Sequence, residues 1–93
     1  MEENLSLYHI FYVTAREGNI SWAARELFIS QPAISKAIRK LEENLETVLF
    51  IRTSRGVTLT REGELLYRHV AQAFDTLQSD EALLERNRKL GVS

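Results

Sequence analysis

The chain has 93 residues, 44% of them hydrophobic and 27% charged, and this suits one small globular domain with a modest core. The absence of cysteine excludes disulfides and thiolate metal sites, and it fits a protein of the reducing cytoplasm. No apolar run approaches the roughly 20 residues that span a bilayer, and the acidic start of the chain lacks the pattern of a signal peptide. These features predict a soluble cytoplasmic protein.

The net charge of −1 conceals an uneven distribution of charges along the chain. Residues 21–61 carry seven basic and four acidic side chains, whereas residues 1–20 and residues 62–93 each have two more acids than bases. A basic central segment can present a cationic face to phosphate groups while the rest of the chain stays soluble. A mixed face that is merely solvated is the alternative explanation of the same charges.

Helical periodicity and capping residues predict three helices in the first half of the chain. Helix one, at about residues 4–17, is marked by an apolar stripe of Leu5, Tyr8, Phe11, Tyr12 and Ala15. Ser21 is the expected N-cap of a two-turn helix over Trp22–Phe28. Ser30 is a second expected N-cap, and Pro32 then suits the first turn of helix three, which should end near Asn44.

Helix three is predicted to be amphipathic. At 100° per residue its apolar side chains fall within one arc and predict a buried face of Ile34, Ala37, Ile38, Leu41 and Leu45. The opposite arc is polar and mostly basic, and it comprises Pro32, Ser35, Lys36, Arg39, Lys40 and Glu43. This second face is expected to meet a partner.

Beyond helix three the apolar period changes to two, which predicts a small hairpin. Its strands are expected at residues 48–53 and 57–59, on either side of Ser54-Arg55-Gly56. Thr60 should cap a long helix from Glu62 to about Arg88, with an apolar stripe of Leu66, Val70, Ala73, Leu77 and Leu84. This helix would extend roughly 40 Å. That length exceeds what the domain can cover, so we expect the stripe to pair two copies of the chain.

Two short helices joined by a tight turn are the geometry that places a helix in the DNA major groove. Gln31 suits adenine, Lys36 suits guanine, and Ser35 can donate to either base. Arg39, one turn further along, is better placed for phosphate, and the free amides behind Ser30 add partial positive charge for a phosphate. The alternative is that this exposed basic helix belongs to a protein that does not bind DNA.

The hairpin favours DNA binding further. Arg52 and Arg55 bracket its tip, and arginine is favoured in a minor groove that narrows over A·T-rich sequence. The alternative is an exposed hairpin with solubilising charges. Together the elements predict a mainly α fold: a winged helix-turn-helix of three helices with a small β-hairpin wing, followed by a long dimerisation linker helix.

The residues that carry these features also form a pattern that resembles a known family. The pattern comprises Phe11, Gly18, Ala23-Ala24, Leu27, the segment Ser30–Lys36, Ile38, Leu41-Glu42, Leu49-Phe50, Arg52, Arg55-Gly56, Leu59-Thr60 and Gly63. In this order and spacing, nearly the whole chain resembles the amino-terminal domain of LysR-type transcriptional regulators. The resemblance implies a linker helix that pairs two subunits, and a carboxy-terminal domain, outside these residues, that senses a small-molecule inducer.

Residue by residue, the resemblance implies major-groove contacts for Ser30, Gln31, Pro32, Ser35, Lys36 and Arg39, and wing contacts for Arg52 and Arg55. Two positions depart from the family pattern, which tends to have glycine where Glu46 stands and proline where Val48 stands. If Glu46 takes the left-handed conformation, it does so at a cost of about 1 kcal/mol. Otherwise the loop after helix three differs from its relatives.

Nothing in the sequence predicts catalysis, a metal site or a cofactor. His9 and His69 are the only histidines and lie on different helices, and the pairs Glu42-Glu43 and Asp80-Glu81 are expected to be solvated. We predict a bacterial, homodimeric transcription regulator that binds a double-stranded DNA operator, with its DNA-binding domain at 1–60 and its dimerisation helix at 61–93. The alternatives are a helical protein-interaction module and a winged-helix regulator of another family.

Overall fold

A computed structural model gives the fold, and it describes residues 2–89, with side chains over residues 5–88. In chain order the elements are α1 (Glu2–Glu17), α2 (Ile20–Leu27), α3 (Gln31–Leu45), β1 (Phe50–Thr53), β2 (Gly56–Leu59) and α4 (Arg61–Lys89). The predicted mainly helical architecture, with a hairpin and a long final helix, is confirmed. Residues 90–93, at the end of the predicted dimerisation segment, lie outside the described residues.

The hydrophobic core lies where the first three helices meet the hairpin. Its largest fully buried apolar side chains are Phe11 of α1, Ile34 and Leu41 of α3, and Leu49 before β1. The Phe11 ring contacts Phe50 of β1, with ring centroids 5.3 Å apart. The buried alanine pair of α2 lets the neighbouring helices approach closely. The core therefore fixes α3 and the hairpin in one rigid unit.

Helix α1 packs on two sides rather than through the single predicted stripe. Phe11 of the stripe is fully buried, but Leu7, which lies outside the stripe, is buried too, while Leu5 within it is 69% exposed. On a second side, Tyr12 stacks on Phe74 of α4, with ring centroids 4.9 Å apart. Because α1 contacts both α3 and α4, one stripe is too narrow to describe its buried surface.

Helix α2 begins earlier than predicted, because Asn19 is its N-cap. The side-chain oxygen of Asn19 accepts a hydrogen bond from the backbone N–H of Trp22 at 3.0 Å. The prediction of Ser21 as the cap was wrong, since Ser21 lies within the first helical turn. Asparagine is as good a cap as serine, and sequence alone did not separate the two. The helix ends at Leu27, and the next residue, Phe28, is its C-cap with left-handed backbone at φ 58°.

The hairpin has a two-residue turn, Ser54-Arg55. The register agrees with this, because the last residue of β1 pairs with Gly56, the first of β2. The backbone N–H of Val57 donates to the C=O of Gly18, at 3.1 Å, and so ties the wing to the turn before α2. At Gly56, where φ is 133°, a Cβ would lie 2.4 Å from that same carbonyl oxygen.

Strand β1 begins at Phe50 rather than at Val48, because the preceding backbone is bonded to the helices. The N–H of Leu49 donates to the carboxylate of Glu42 at 2.7 Å, and the C=O of Leu49 accepts from the N–H of Thr60 at 3.0 Å. The C=O of Val48 accepts from the Thr60 hydroxyl at 2.7 Å. These bonds hold the base of the wing between the end of α3 and the start of α4.

The long helix α4 begins with Thr60 as its N-cap, as the sequence predicted. The Thr60 hydroxyl oxygen accepts a hydrogen bond from the N–H of Gly63 at 3.0 Å. A Cβ at Gly63 would lie 2.2 Å from the C=O oxygen of Leu49, so the first turn of α4 presses directly on backbone. The absence of a side chain at Gly63 therefore fixes where α4 leaves the domain.

Only the first half of α4 packs on the rest of the molecule. Leu66 and Val70 are partly buried against the core, and burial raises the pKa of Tyr67, which stacks on Tyr12 of α1. Every side chain from residue 75 to residue 88 is exposed, and the molecule reaches 51 Å in its longest dimension. Over the described part of the chain, no helix combines the length and apolarity needed to cross a membrane.

Candidate nucleic-acid interface

The amino-terminal turn of α3 is fixed by its cap and by a proline. Ser30 has extended backbone, and its hydroxyl oxygen accepts a hydrogen bond from the N–H of Ala33 at 3.2 Å. Pro32 lies in the first turn, where its missing N–H removes no helical hydrogen bond. Ser30 and Gln31 are exposed, so the positive end of the helix dipole lies at the surface. This end of α3 suits a phosphate group.

The outward face of α3 carries the polar side chains that the sequence predicted to contact DNA. Gln31, Lys36 and Arg39 are exposed, and Ser35 is half-buried beside them. Within residues 5–88, neither the Lys36 ammonium nor the Arg39 guanidinium has a hydrogen-bond or ion-pair partner. These cations are therefore available to a ligand from outside the domain.

The opposite face of α3 anchors the helix. Ile34, Ile38 and Leu41 are buried, as predicted. Leu45 is 37% exposed, contrary to prediction, because it lies in the last turn and the chain leaves the core directly after it. Glu46 follows with φ 52° and ψ 42°, so this residue takes the left-handed conformation without being glycine.

The two wing arginines are both exposed. Arg52 lies on β1 and Arg55 in the two-residue turn, and neither has a hydrogen-bond or ion-pair partner among residues 5–88. The turn is stabilised by its own polar groups, because the Thr53 hydroxyl accepts from the N–H of Arg55 at 3.2 Å. The wing thus presents two cations on a short, well-supported hairpin.

A polar cleft between α2 and the wing was not anticipated from the sequence. It has a volume of about 290 Å³, and Asn19 and Ser21 line it together with Arg52 and Arg55. The contact between the two elements depends on the backbone bond from Val57 to the turn before α2. Such a bond involves no distinctive side chain, so no sequence signal marks it.

The basic side chains of α1 and α2 are engaged within the domain. Arg16 pairs with Glu26 and with Glu17, and the hydrogen bond to Glu26 raises the pKa of the Arg16 guanidinium. Arg25 lies over the ring of Trp22, 5.2 Å from its centroid. Between residues 5 and 60, the cations without a partner are thus Lys36 and Arg39 on α3 and Arg52 and Arg55 on the wing.

The acidic and imidazole groups do not assemble a catalytic or metal centre. Between residues 5 and 88 no three histidine, aspartate or glutamate side chains are grouped to hold a metal ion. His9 and His69 are exposed, and the His9 ring contacts Phe74 of α4. The prediction that Glu42 is solvated was wrong, because its carboxylate accepts hydrogen bonds from the backbone N–H groups of Leu49 and Phe50, at 2.7 and 3.3 Å.

Two short helices with a tight turn, an outward polar second helix and a two-stranded wing define a winged helix-turn-helix domain. The family model described as "Bacterial regulatory helix-turn-helix protein, lysR family" matches residues 5–64. The chain therefore belongs to the LysR family of bacterial regulatory helix-turn-helix proteins, which are transcription regulators and not enzymes. This membership excludes a winged-helix domain of another family.

A curated relative and two solved structures illustrate the similarity. The HTH-type transcriptional regulator PerR of Escherichia coli (strain K12) is 46% identical over 80 residues, which are 86% of this chain and 27% of that protein. A complex of the BenM DBD with catB site 1 DNA has a TM-score of 0.79 at 30% identity, covering 90% of this chain and 93% of that one. A CbnR DBD–DNA complex has a TM-score of 0.73 at 28% identity, covering 98% and 99%. The chain spans about a quarter of the length of the curated relatives it matches.

Proposed function

We propose that this chain binds a double-stranded DNA operator sequence-specifically as a homodimer, with α3 in the major groove and the wing in the minor groove. The observation that carries the proposal is the exposed outward face of α3, on which Gln31, Lys36 and Arg39 lie with no internal ion pair for either cation. The structures of BenM and CbnR DBDs bound to DNA support it, since they share this fold along nearly the whole chain.

The position of each side chain on α3 suggests a division of roles. Gln31 lies at the start of the helix, where side chains reach base edges, and glutamine can pair with adenine in a bidentate manner. Ser35 and Lys36, one turn later, suit further base contacts. Arg39 lies a second turn along the helix and suits a contact with the phosphate backbone. The N–H groups behind Ser30, at the start of α3, suit a second phosphate contact.

The wing supports a minor-groove contact. Arg52 and Arg55 are exposed on a hairpin only four residues deep, and both border the cleft at the start of α2. Arginine is attracted to the enhanced negative potential of a narrow A·T-rich minor groove. Ser21 borders the same cleft and suits a contact with the phosphates that lie between the major and minor grooves.

The apolar stripe of α4 supports dimerisation. Leu66, Val70, Ala73, Leu77 and Leu84 lie along this helix, and Leu77 and Leu84 remain 55% and 68% exposed in the single chain. Burying one leucine contributes about 1.5 to 3 kcal/mol, which favours pairing with a second stripe. A two-fold dimer presents two copies of α3, so the operator is an imperfect inverted repeat.

Selection of bound duplexes from a random pool, followed by affinity measurements on variants, tests the proposal. Gln31→Ala should relax base preference at one position per half-site, at a cost of about 1 to 3 kcal/mol on the selected site. Arg39→Ala should instead weaken binding to all sequences alike and flatten the dependence of affinity on salt. Arg68→Ala removes the same charge from an exposed position on α4 and is the matched control.

The outcomes separate base reading from general attraction to DNA. If Gln31→Ala lost affinity equally on selected and random duplexes, the assignment of Gln31 as a base reader would be wrong. If selection returned no preferred sequence at all, sequence-specific recognition would be wrong, and the alternative of a helical protein-interaction module would gain support.

The wider setting follows from the family. A bacterial regulator that binds DNA operators works in the cytoplasm, and we propose this location for the chain. LysR-type regulators resemble it over about a quarter of their own length, so we assign response to a small-molecule inducer to sequence outside these 93 residues.

A further inference from the structure

An apolar groove of about 260 Å³ lies between α1 and the middle of α4. Leu5 and Tyr8 form its α1 wall, and α4 provides the remainder, including Leu66 and Val70. Among the side chains that line it, His69 is the one imidazole. The groove lies on the stripe that we propose as the dimer interface, so its occupant is a second copy of this chain.

The second half of α4 carries a ridge that suits this groove. Leu77 and Leu84, which belong to the stripe, are 55% and 68% exposed. Protein interfaces are packed without large voids, and a concave groove is filled by a convex ridge. An antiparallel copy of α4 places its ridge in the groove, whereas a parallel copy sets groove against groove and leaves both empty. Antiparallel pairing is therefore favoured.

The heptad spacing of the stripe fixes the register of this pair. The stripe follows alternating steps of four and three residues, and Asp80 occupies its one position that is not apolar. The pattern is symmetric about residue 75, so antiparallel copies align it with itself. The resulting layers are Leu66 with the partner's Leu84, Ala73 with the partner's Leu77, and Val70 with the partner's Asp80.

In a coiled coil each stripe side chain enters a hole formed by four residues of the facing helix. The hole opposite the partner's Asp80 comprises Leu66, His69, Val70 and Ala73, all of which line the groove. A carboxylate there loses hydration, and His69 is the one polar side chain of the hole. We propose that, within the dimer inferred above, His69 of each copy pairs with Asp80 of the partner subunit, so that acidification strengthens association.

The sign follows from the charges. Pairing with a carboxylate favours protonated His69 in the dimer, so the added stability is present below the imidazole pKa and is lost as pH rises through it. Tyr8 on α1 also lines the groove beside His69, and Glu81 of the partner subunit follows Asp80 on the same helix. Neither brings a positive charge next to His69, so neither reverses the sign.

Sedimentation equilibrium of the chain at about pH 5.5 and about pH 8 tests the pair, and we expect a dimer dissociation constant lower by about tenfold to 100-fold at the acidic pH. His69→Gln keeps a hydrogen-bonding side chain without a titration and should abolish this difference. Asp80→Leu should also abolish it, while tightening the dimer at the alkaline pH. His9→Gln, outside the groove, is the matched control and should keep the difference.

Disulfide trapping tests the register independently, because the chain has no cysteine. Val70→Cys combined with Asp80→Cys places two thiols roughly 15 Å apart within one helix, too far to bridge, but opposite each other between antiparallel copies. Mild oxidation should therefore give a covalent dimer. Val70→Cys combined with Leu84→Cys puts no thiols opposite each other and should cross-link at least about tenfold more slowly.

Three results would overturn the inference, and each is distinct. A dimer with the same dissociation constant at both pH values, or one whose pH dependence survives His69→Gln, would refute the pair while leaving the DNA-binding dimer intact. Equal cross-linking of the two double variants would refute the register. A chain that stays monomeric under all conditions would refute dimerisation itself, and duplex binding measured separately would show whether recognition by α3 still stands.

Discussion

The two halves of α4 differ in what covers them. The first half is capped by Thr60, pressed against the base of the wing at Gly63, and covered by the aromatic side chains of α1. The second half, from residue 75 onward, has every described side chain exposed although it continues the same apolar stripe. The first half of α4 is thus packed within the domain, and the second half projects from it.

The two halves therefore differ in which contacts position them. The first half is positioned by contacts within the chain, so its direction relative to α3 is set by the fold. The second half exposes its leucines in the single chain, and we propose that a second copy of the chain covers them.

The largest effect is expected at the joint between domain and helix. Gly63→Ala places a Cβ 2.2 Å from the C=O oxygen of Leu49, and backbone there cannot move without disturbing the wing. We expect the free energy of unfolding to fall by about 3 kcal/mol or more, measured by urea denaturation through the fluorescence of Trp22. Ser79→Ala, on the exposed half of α4, should change it by less than about 0.5 kcal/mol. If the free energy of unfolding changed equally little in both variants, the close contact between Gly63 and the Leu49 backbone would be contradicted.

Leu77→Glu tests the exposed half. It should weaken the dimer by about 100-fold, because two leucines leave the interface and two carboxylates enter it. The stability of the monomer should be nearly unchanged, since Leu77 is already 55% exposed. Gln78→Glu adds the same charge one residue away from the stripe and should leave the dimer intact in sedimentation experiments. If both variants weakened it equally, general repulsion rather than the stripe would be the cause.

Glu42→Gln acts on the domain alone. The Glu42 carboxylate accepts hydrogen bonds from the N–H groups of Leu49 and Phe50, at 2.7 and 3.3 Å, and an amide accepts them less strongly. Unfolding free energy should fall by about 1 to 2 kcal/mol, with dimer affinity unaffected. Glu43→Gln, on the exposed side of α3, makes the same change without these bonds. Equal stability of the two variants would show that the carboxylate does not anchor the wing.

The smallest effect is expected at the exit from α3, and its sign is opposite. Glu46 has φ 52°, a conformation that glycine adopts without steric cost. Glu46→Gly should therefore raise the unfolding free energy by about 0.5 to 1 kcal/mol. Glu43→Gly, inside α3, should lower it by about 1 kcal/mol. Thermal denaturation of the pair checks the signs, and a loss of stability in Glu46→Gly would contradict the cost assigned to the left-handed turn.

Sequence patterns predicted the elements well because they are local. The amphipathic period of α3, its Ser30 cap and its proline, and the Thr60 cap of α4 each depend on residues a few positions apart, and the structure has all of them. The LysR resemblance, carried by motifs such as Ser30–Lys36, predicted how these elements are arranged in the whole fold. The contacts of α3 and the wing with DNA remain a proposal.

The features that sequence did not predict depend on contacts between distant residues. Asn19 and Ser21 are both good caps, and only the folded backbone selects Asn19. The bonds from Glu42 to the backbone of residues 49–50 shorten β1, although nothing in the acidic pair marks one member as structural. The cleft between α2 and the wing depends on a backbone bond to Gly18, which leaves no side-chain signature.

The central claim, that two copies of α3 read one operator because α4 pairs the chains, is tested most directly by a spacer series. Two selected half-sites are separated by successive base pairs, and the affinity of the chain for each duplex is measured. We expect affinity maxima separated by whole turns of about 10 to 10.5 base pairs and a loss of joint binding at half a turn, and we expect Leu77→Glu to remove this periodicity. Affinity that is independent of spacing in the unmodified chain would contradict it.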